Sequence, residues 1–247
     1  MKKQSPAGEY WIPGVRAIEV LVHRQPERVI GVWYAGTASD RCDGLLDEAR
    51  AAGIQVYEAK MKSLNERFTG VQHQGICARV KPIDYADWQT LVDVDDGLLV
   101  AVDQVTDPRN FGAILRSAEC LGANGALTTK NRAARLGPIV AKTSAGASEF
   151  LPVAMESNLA RSLRQAQEAG YQVIGADFDG VAPDKLDLRG PTVLVIGAEG
   201  QGLRRLTREL CDGIATIPQT GVVQSLNAAS AASILIYEAV RQRQKEL

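Results

Sequence analysis

Thr192-Val-Leu-Val-Ile-Gly-Ala-Glu-Gly-Gln-Gly202 decides the reading of this chain. The apolar run Thr192–Ile196 has the character of a buried strand, and it passes directly into a glycine cluster. Leu203-Arg-Arg-Leu-Thr-Arg208 then reads as a basic helix, and Gly213-Ile-Ala-Thr-Ile-Pro218 as a second short strand ended by its proline. Gly221 follows, and Ser225-Leu-Asn227 opens a last helix over Leu226 to Arg243. Ligands of open α/β sheets bind at the carboxyl ends of strands. Junctions this close together in sequence therefore predict a site for a nucleotide-like cofactor. The glycine spacing is not that of the Gly-x-Gly-x-x-Gly dinucleotide fingerprint, and the loop comes late in the chain.

Working outward, strands and helices alternate on both sides of this stretch. Leu98–Val102, Ala126–Thr129, Leu151–Met155 and Tyr171–Gly175 read as strands. Phe111–Leu121, Ile139–Ser148 and Ser157–Ala169 read as helices, the last with Ser157 as N-cap and Gly170 as its stop. This pattern predicts a parallel sheet covered on both faces. Residues 1–81 form a smaller α/β module, with helices at 14–22 and 40–52 and strands at 28–34 and 54–57. The stretch 82–96 carries Asp84, Asp87, Asp93, Asp95 and Asp96 and reads as a linker to a larger domain at 97–247.

A length of 247 residues fits one or two domains. No apolar run approaches the ~18 residues of a membrane span. Met1–Pro6 is basic but has no apolar core behind it, so a secretory signal is not expected. Cys42, Cys77, Cys120 and Cys211 form no Cys-x-x-Cys pair, and His23 and His73 lie far apart. Neither a metal site nor a disulfide framework is expected; reduced thiols in the cytoplasm are. The net charge of −1 does not advertise nucleic-acid binding, but its distribution is uneven. No acidic residue falls between Glu119 and Glu149, where Lys130, Arg132, Arg135 and Lys142 lie, and Arg204, Arg205 and Arg208 form a second cluster. A solvated helix face is the ordinary explanation of such runs, and charge alone favours it over RNA contact.

Two further segments carry candidate chemistry. In Asp107-Pro-Arg-Asn-Phe-Gly-Ala-Ile-Leu-Arg116, Asn110 sits at a helix entrance and Arg116 is six residues on, off the same helical face. A cap and a surface ion pair are sufficient roles for them. In Ser225-Leu-Asn-Ala-Ala-Ser-Ala-Ala232, Ser225 or Asn227 serves as a cap, and the small residues predict close packing on a helix or a second subunit.

Taken in order, Asn110-Phe-Gly-x-x-x-Arg116, Gly197-Ala-Glu-Gly200, Ile217-Pro218 and Ser225-Leu-Asn227 resemble the three motifs of the SpoU (TrmH) family of RNA ribose 2′-O-methyltransferases. Residues 11–82, with Gly14-x-x-Ala17-Ile18 and His73–Lys81, resemble the small RNA-binding domain of its rRNA subgroup, which methylates a guanosine in the P-site loop of bacterial 23S rRNA. The chain departs from that subgroup at Pro13, Arg16, Gln219 and Ala228, none of them a polar motif residue.

The resemblance implies a small α/β RNA-binding domain followed by a trefoil-knotted (SPOUT) parallel-sheet methyltransferase domain. A knot runs against the general rarity of threaded chains. It also implies a cytoplasmic homodimer, free of membrane and metal, that acts on RNA with S-adenosylmethionine. Gly197, Gly202, Ile217, Pro218 and Leu226 would hold the cofactor. Arg116, Asn110, Glu199, Ser225 and Asn227 would form the catalytic set. Tyr10, Trp11 and Arg16 are candidates for RNA contact on the small domain, with Trp11 equally suited to its core. The same chemistry on a tRNA guanosine and a catalytically silent RNA-binding protein are the alternative readings. A Rossmann-type oxidoreductase is disfavoured by the misplaced glycine loop.

Overall fold

Apolar strands and amphipathic helices alternate from Tyr10 onward in the computed structural model, which describes residues 8–36, 40–69, 72–222 and 225–244. Met1–Pro6 and Gln224 lie outside the described residues. The first unit contains β1 (Tyr10–Pro13), α1 (Val15–Arg24), β2 (Val29–Tyr34), α2 (Asp40–Ala51), β3 (Val56–Glu58), α3 (Met61–Arg67) and β4 (Ile76–Val80). Its sheet has the order β1-β4-β2-β3, with β4 antiparallel to both neighbours and β3 parallel to β2. Helix α1 buries Ala17, Ile18, Leu21 and Val22, the i, i+3, i+4 spacing of an apolar stripe.

The second unit begins at Tyr85. It contains α4 (Trp88–Val92), β5 (Leu98–Val102), α5 (Pro108–Cys120) and β6 (Gly125–Thr129). After α6 (Pro138–Thr143) come β7 (Val153–Glu156), α7 (Leu159–Glu168), β8 (Gln172–Val181), β9 (Thr192–Ile196), α8 (Arg205–Glu209), β10 (Gly213–Ala215) and α9 (Ala228–Gln244). Its six strands lie in the order β10-β8-β9-β5-β6-β7, and every neighbouring pair is parallel. The chain builds outward from β5 to β7, then returns to lay β8 beyond β9. The order reverses between β5 and β9, whose registers run from Leu98–Thr192 to Val102–Ile196. Both strands are wholly buried, as a parallel sheet covered on two faces requires.

Three details differ from the sequence reading. The 82–96 stretch is not all linker. Asp87 caps α4, and Trp88, Leu91 and Val92 enter the core, with the Trp88 indole N–H donating to the Ser162 carbonyl at 3.0 Å. The flanking aspartates conceal this i, i+3, i+4 triplet. The N-cap of α7 is Asn158, not Ser157; its side chain accepts from the Arg161 N–H. Helix α6 ends at Thr143 because Ala145 and Gly146 take left-handed backbone.

The first unit also recruits Leu136–Glu149, part of the stretch read as the larger domain. The reason is polar. Glu149 is buried and accepts from the Tyr10 hydroxyl at 2.9 Å and from Arg28 at 2.8 Å. Burial beside that carboxylate raises the Tyr10 phenol well above its usual range. Tyr10 is thus internal and unavailable to RNA. Trp11 is half-buried, tilted against Trp33 at 4.6 Å and covered by the Arg67 guanidinium at 4.2 Å. Arg16 is exposed and paired with Glu19.

Candidate active site

The two central strands of the second unit deliver their loops side by side. Beyond β5, the Asp103 N–H donates to the Ile196 carbonyl at 2.8 Å. The buried Asp103 carboxylate accepts from the Arg204 backbone N–H at 3.0 Å and from its Nε at 2.6 Å. This tie fixes the far end of the glycine loop to the strand beside it. Within the loop, Ala198 and Gly202 exchange backbone hydrogen bonds of 3.2 and 3.0 Å. Glycine is required at two places here. A Cβ on Gly197 would run into the Gly202 carbonyl, and Gly202 has φ +66° with the Asp177 carboxylate where a side chain would go.

The three motifs converge on one hydrogen-bonded triangle. Asp107 caps α5 by accepting from the Arg109 N–H, which places Asn110 in the first helical turn. The Asn110 amide donates to Glu199 Oε2 at 3.1 Å. The Asn227 amide donates to Asn110 Oδ1 at 2.9 Å and to Glu199 Oε2 at 3.3 Å. Its carbonyl oxygen accepts from the Ala229 N–H at 2.9 Å and so caps α9. Asn227 therefore serves both as helix cap and as site residue. Glu199 keeps an exposed carboxylate whose position two amides define.

Beside this triangle lies a cleft of about 570 Å³, lined by Ile196, Gly197, Glu199, Gly202, Asp177, Phe178, Thr216, Ile217, Leu226 and Leu235 among others. Gly197, Gly202, Ile217 and Leu226 thus share one cavity, while Pro218 lies between two lining residues without itself lining it. Ser225 is half-buried at the start of the same segment. Arg116 stands apart. It is exposed on α5, with no hydrogen bond or ion pair among the described residues. Six residues turn a helix by about 600°, which places Arg116 about 240° around the axis from Asn110. Helix α5 packs on α9, where the Ser117 and Ser233 hydroxyls meet at 2.7 Å, so the small residues of α9 are used within the chain.

The basic cluster beside the glycine loop is mostly committed internally. Arg204 pairs with Asp103, and Arg208 with Asp177 at 2.8 Å and with the Asp179 carbonyl. Arg205 alone points outward, with a loose contact of 3.7 Å to Glu209. Asp103 and Asp177 are the residues that sequence reasoning missed. An acid directly after the buried run Leu98–Val102 was the available signal for the first. The second was hidden because β8 continues to Val181, beyond its apolar part. Among the described residues there is no helix long and apolar enough to cross a membrane and no cluster of side chains suited to a metal ion.

Comparison with known proteins matches this arrangement along nearly the whole chain. Residues 97–237 match the SpoU rRNA Methylase family, and residues 11–86 match the RNA 2′-O ribose methyltransferase substrate binding family. The 23S rRNA (guanosine-2′-O-)-methyltransferase RlmB of Shewanella oneidensis is 40% identical over 98% of this chain and 99% of its own. RlmB of Pseudomonas aeruginosa is also 40% identical, over 93% and 95%. The crystal structure of the SpoU methyltransferase AviRb from Streptomyces viridochromogenes in complex with the cofactor AdoMet superposes with a TM-score of 0.81 at 30% identity, covering 97% of this chain and 92% of that one. With its paired strand ends, its glycine loop and its Asn110–Glu199–Asn227 triangle, the chain belongs to the SpoU rRNA methylase family.

Proposed function

We propose that this protein methylates the ribose 2′ oxygen of a guanosine in the P-site loop of 23S rRNA, using S-adenosylmethionine, in the cytoplasm and as a homodimer. The observation that carries the reading is the Asn110–Glu199–Asn227 triangle at the lip of the 570 Å³ cleft, which unites all three motifs. The cleft suits the cofactor. Backbone alone fits where Gly197 and Gly202 stand, and Ile196, Ile217, Leu226 and Leu235 offer apolar walls to a purine. When bound, S-adenosylmethionine supplies an electrophilic methyl group on a sulfonium.

The chain's own task is to align the ribose hydroxyl and ease loss of its proton. No histidine lies in the three motifs. Glu199 and Asn110 orient the ribose, while Ser225 and Asn227 order the loop that presents it. Arg116 supplies a guanidinium, a planar set of N–H donors. It acts by stabilising the developing alkoxide or by holding an RNA phosphate that takes the proton. Its position away from Asn110 in one chain supports delivery from the partner copy. Exposed Ile234 and Tyr237 on α9 support the same pairing. We also read the C-terminal segment as threaded in a trefoil knot. The placement of β9 between β5 and β8, and the reach of Asn227 back to Asn110, support this.

The test is methyl transfer from labelled S-adenosylmethionine to unmodified large-subunit rRNA and to unmodified tRNA. Label in rRNA alone is expected. Label in tRNA alone would overturn the target, and label in neither would overturn the activity.

A further inference from the structure

The first unit has a cavity of its own, of about 540 Å³, with no residue of the three motifs among its walls. Two separate pieces of chain build it. Gly14, Arg16 and Gln74 come from the stretch 11–86, and Lys142, Ala145 and Gly146 from within 97–237. The cavity therefore exists only because Leu136–Glu149 folds into the first unit.

Its rim is rigid. Gly14, Gln74, Ala145 and Gly146 all have left-handed backbone, at φ +98°, +52°, +52° and +89°. Gln74 and Ala145 carry side chains, so their conformation costs energy and persists only where the surroundings impose it. The turn after α6 is closed by the Ala145 N–H to the Lys142 carbonyl at 3.1 Å and the Gly146 N–H to the Ala141 carbonyl at 2.9 Å. Gln74 is held by its own side chain, whose carbonyl oxygen accepts from the Val15 N–H at 3.1 Å. Only the oxygen can accept, so this bond fixes the amide and leaves its NH2 group as the end free to donate.

Every charged residue lining the cavity is a cation. Arg16 spends one nitrogen on Glu19 at 2.9 Å, an exposed pair worth little, and keeps its other N–H donors. Lys142 has no hydrogen bond or ion pair among the described residues. A single exposed cation is ordinary. Two like charges brought to one cavity from distant chain segments, on backbone that costs energy, repel each other and stabilise nothing in the fold.

We propose that this cavity is a composite anion site that clasps one backbone phosphate of the RNA substrate, with Arg16, Lys142 and the Gln74 NH2 group as donors; this rests on the RNA-methyltransferase reading above. RNA offers an anion at every nucleotide, and contacts of this kind fix its position without reading its sequence. Lys142 thus gives the substrate-binding unit a contact from outside the stretch that matches the substrate-binding family.

The experiment measures binding of the full chain to an unmodified 23S rRNA fragment carrying the P-site loop, between about 0.05 and 0.2 M salt. The double variant Arg16→Gln/Lys142→Gln should bind roughly tenfold more weakly, with the slope of log affinity against log salt lower by about one, the loss of a single phosphate contact. Each single variant should fall between it and wild type. Lys60→Gln/Lys62→Gln removes the same charge from exposed positions outside the cavity and should leave the slope unchanged. Calorimetry should show S-adenosylmethionine binding unchanged throughout, which separates a lost contact from a lost fold. An equal fall in the Lys60/Lys62 variant would reduce the effect to net charge and overturn the proposal. So would an unaltered slope in the Arg16/Lys142 variant, or binding of inorganic phosphate that this variant loses while RNA affinity stays the same, which would assign the cavity to a small free anion. These outcomes leave the methyltransferase reading intact; failure of the wild-type protein to bind the fragment would overturn the reading beneath.

Discussion

Arg116 is the residue whose role depends least on packing, because it is exposed and unpaired among the described residues. Its replacement should therefore separate chemistry from structure. Arg116→Ala is expected to lower methyl transfer by about 10²–10³, the usual cost of removing one group that stabilises developing negative charge. Calorimetry should show S-adenosylmethionine binding unchanged; weakened binding would assign Arg116 to the cofactor cleft instead. The cysteines give a second residue-level test. Burial pushes the Cys77 and Cys211 thiols up to about 12, whereas Cys120 is exposed. Their raised values keep both thiols protonated and unreactive, and the stability tied to that form holds below about pH 9 and is lost as pH rises towards 12. Thiol titration of the native protein at pH 8 should modify Cys120 promptly, with buried Cys77 reacting only on unfolding. Prompt reaction of Cys77 would contradict the packing described.

At the scale of elements, the glycine loop is the most constrained piece of the site. Gly197→Ala would force a Cβ against the Gly202 and Leu203 backbone, where no flexible side chain can yield. Such overpacking costs about 1–3 kcal/mol, so cofactor affinity should fall roughly ten- to hundredfold with the circular dichroism unchanged. Gly190→Ala meets nothing within 4 Å and should be neutral in the same titration. What the sequence disclosed follows the same physics. Strands β5 and β9 were legible to the residue because both are buried on two faces and bounded by glycine or acid. The polar half of β8 was not legible, because β10 pairs mainly with its apolar half, at Ile174 and Gly175, and of Asp177–Val181 only Val181 has a partner, Ala215, so that stretch needs no apolar pattern. Helix α4 was masked by its aspartates. The three motif loops were readable as neighbours, but the bonds among Asn110, Glu199 and Asn227 depend on non-local strand order that spacing does not encode. The ties of Arg204 and Arg208 to acids were illegible for the same reason.

At the scale of the whole molecule, the proposed dimer gives Arg116 and Asn110 to each site from different chains. Mixing inactive Arg116→Ala and Asn110→Ala proteins and allowing subunits to exchange should restore about a quarter of wild-type activity. Half of the dimers are then mixed, and each mixed dimer holds one intact site of its two. No recovery in the mixture would place Arg116 in its own chain's site. The first unit, with its buried Tyr10–Glu149–Arg28 network, gathers residues from two separate pieces of chain, an arrangement that residue spacing alone did not reveal. The converging loops serve to transfer a methyl group to a ribose oxygen. The most direct measurement is the identity of the modified nucleoside after enzymatic digestion of rRNA treated with labelled S-adenosylmethionine. 2′-O-methylguanosine carrying the label is expected; label on a base nitrogen or carbon, with the ribose unmodified, would rule out ribose methylation.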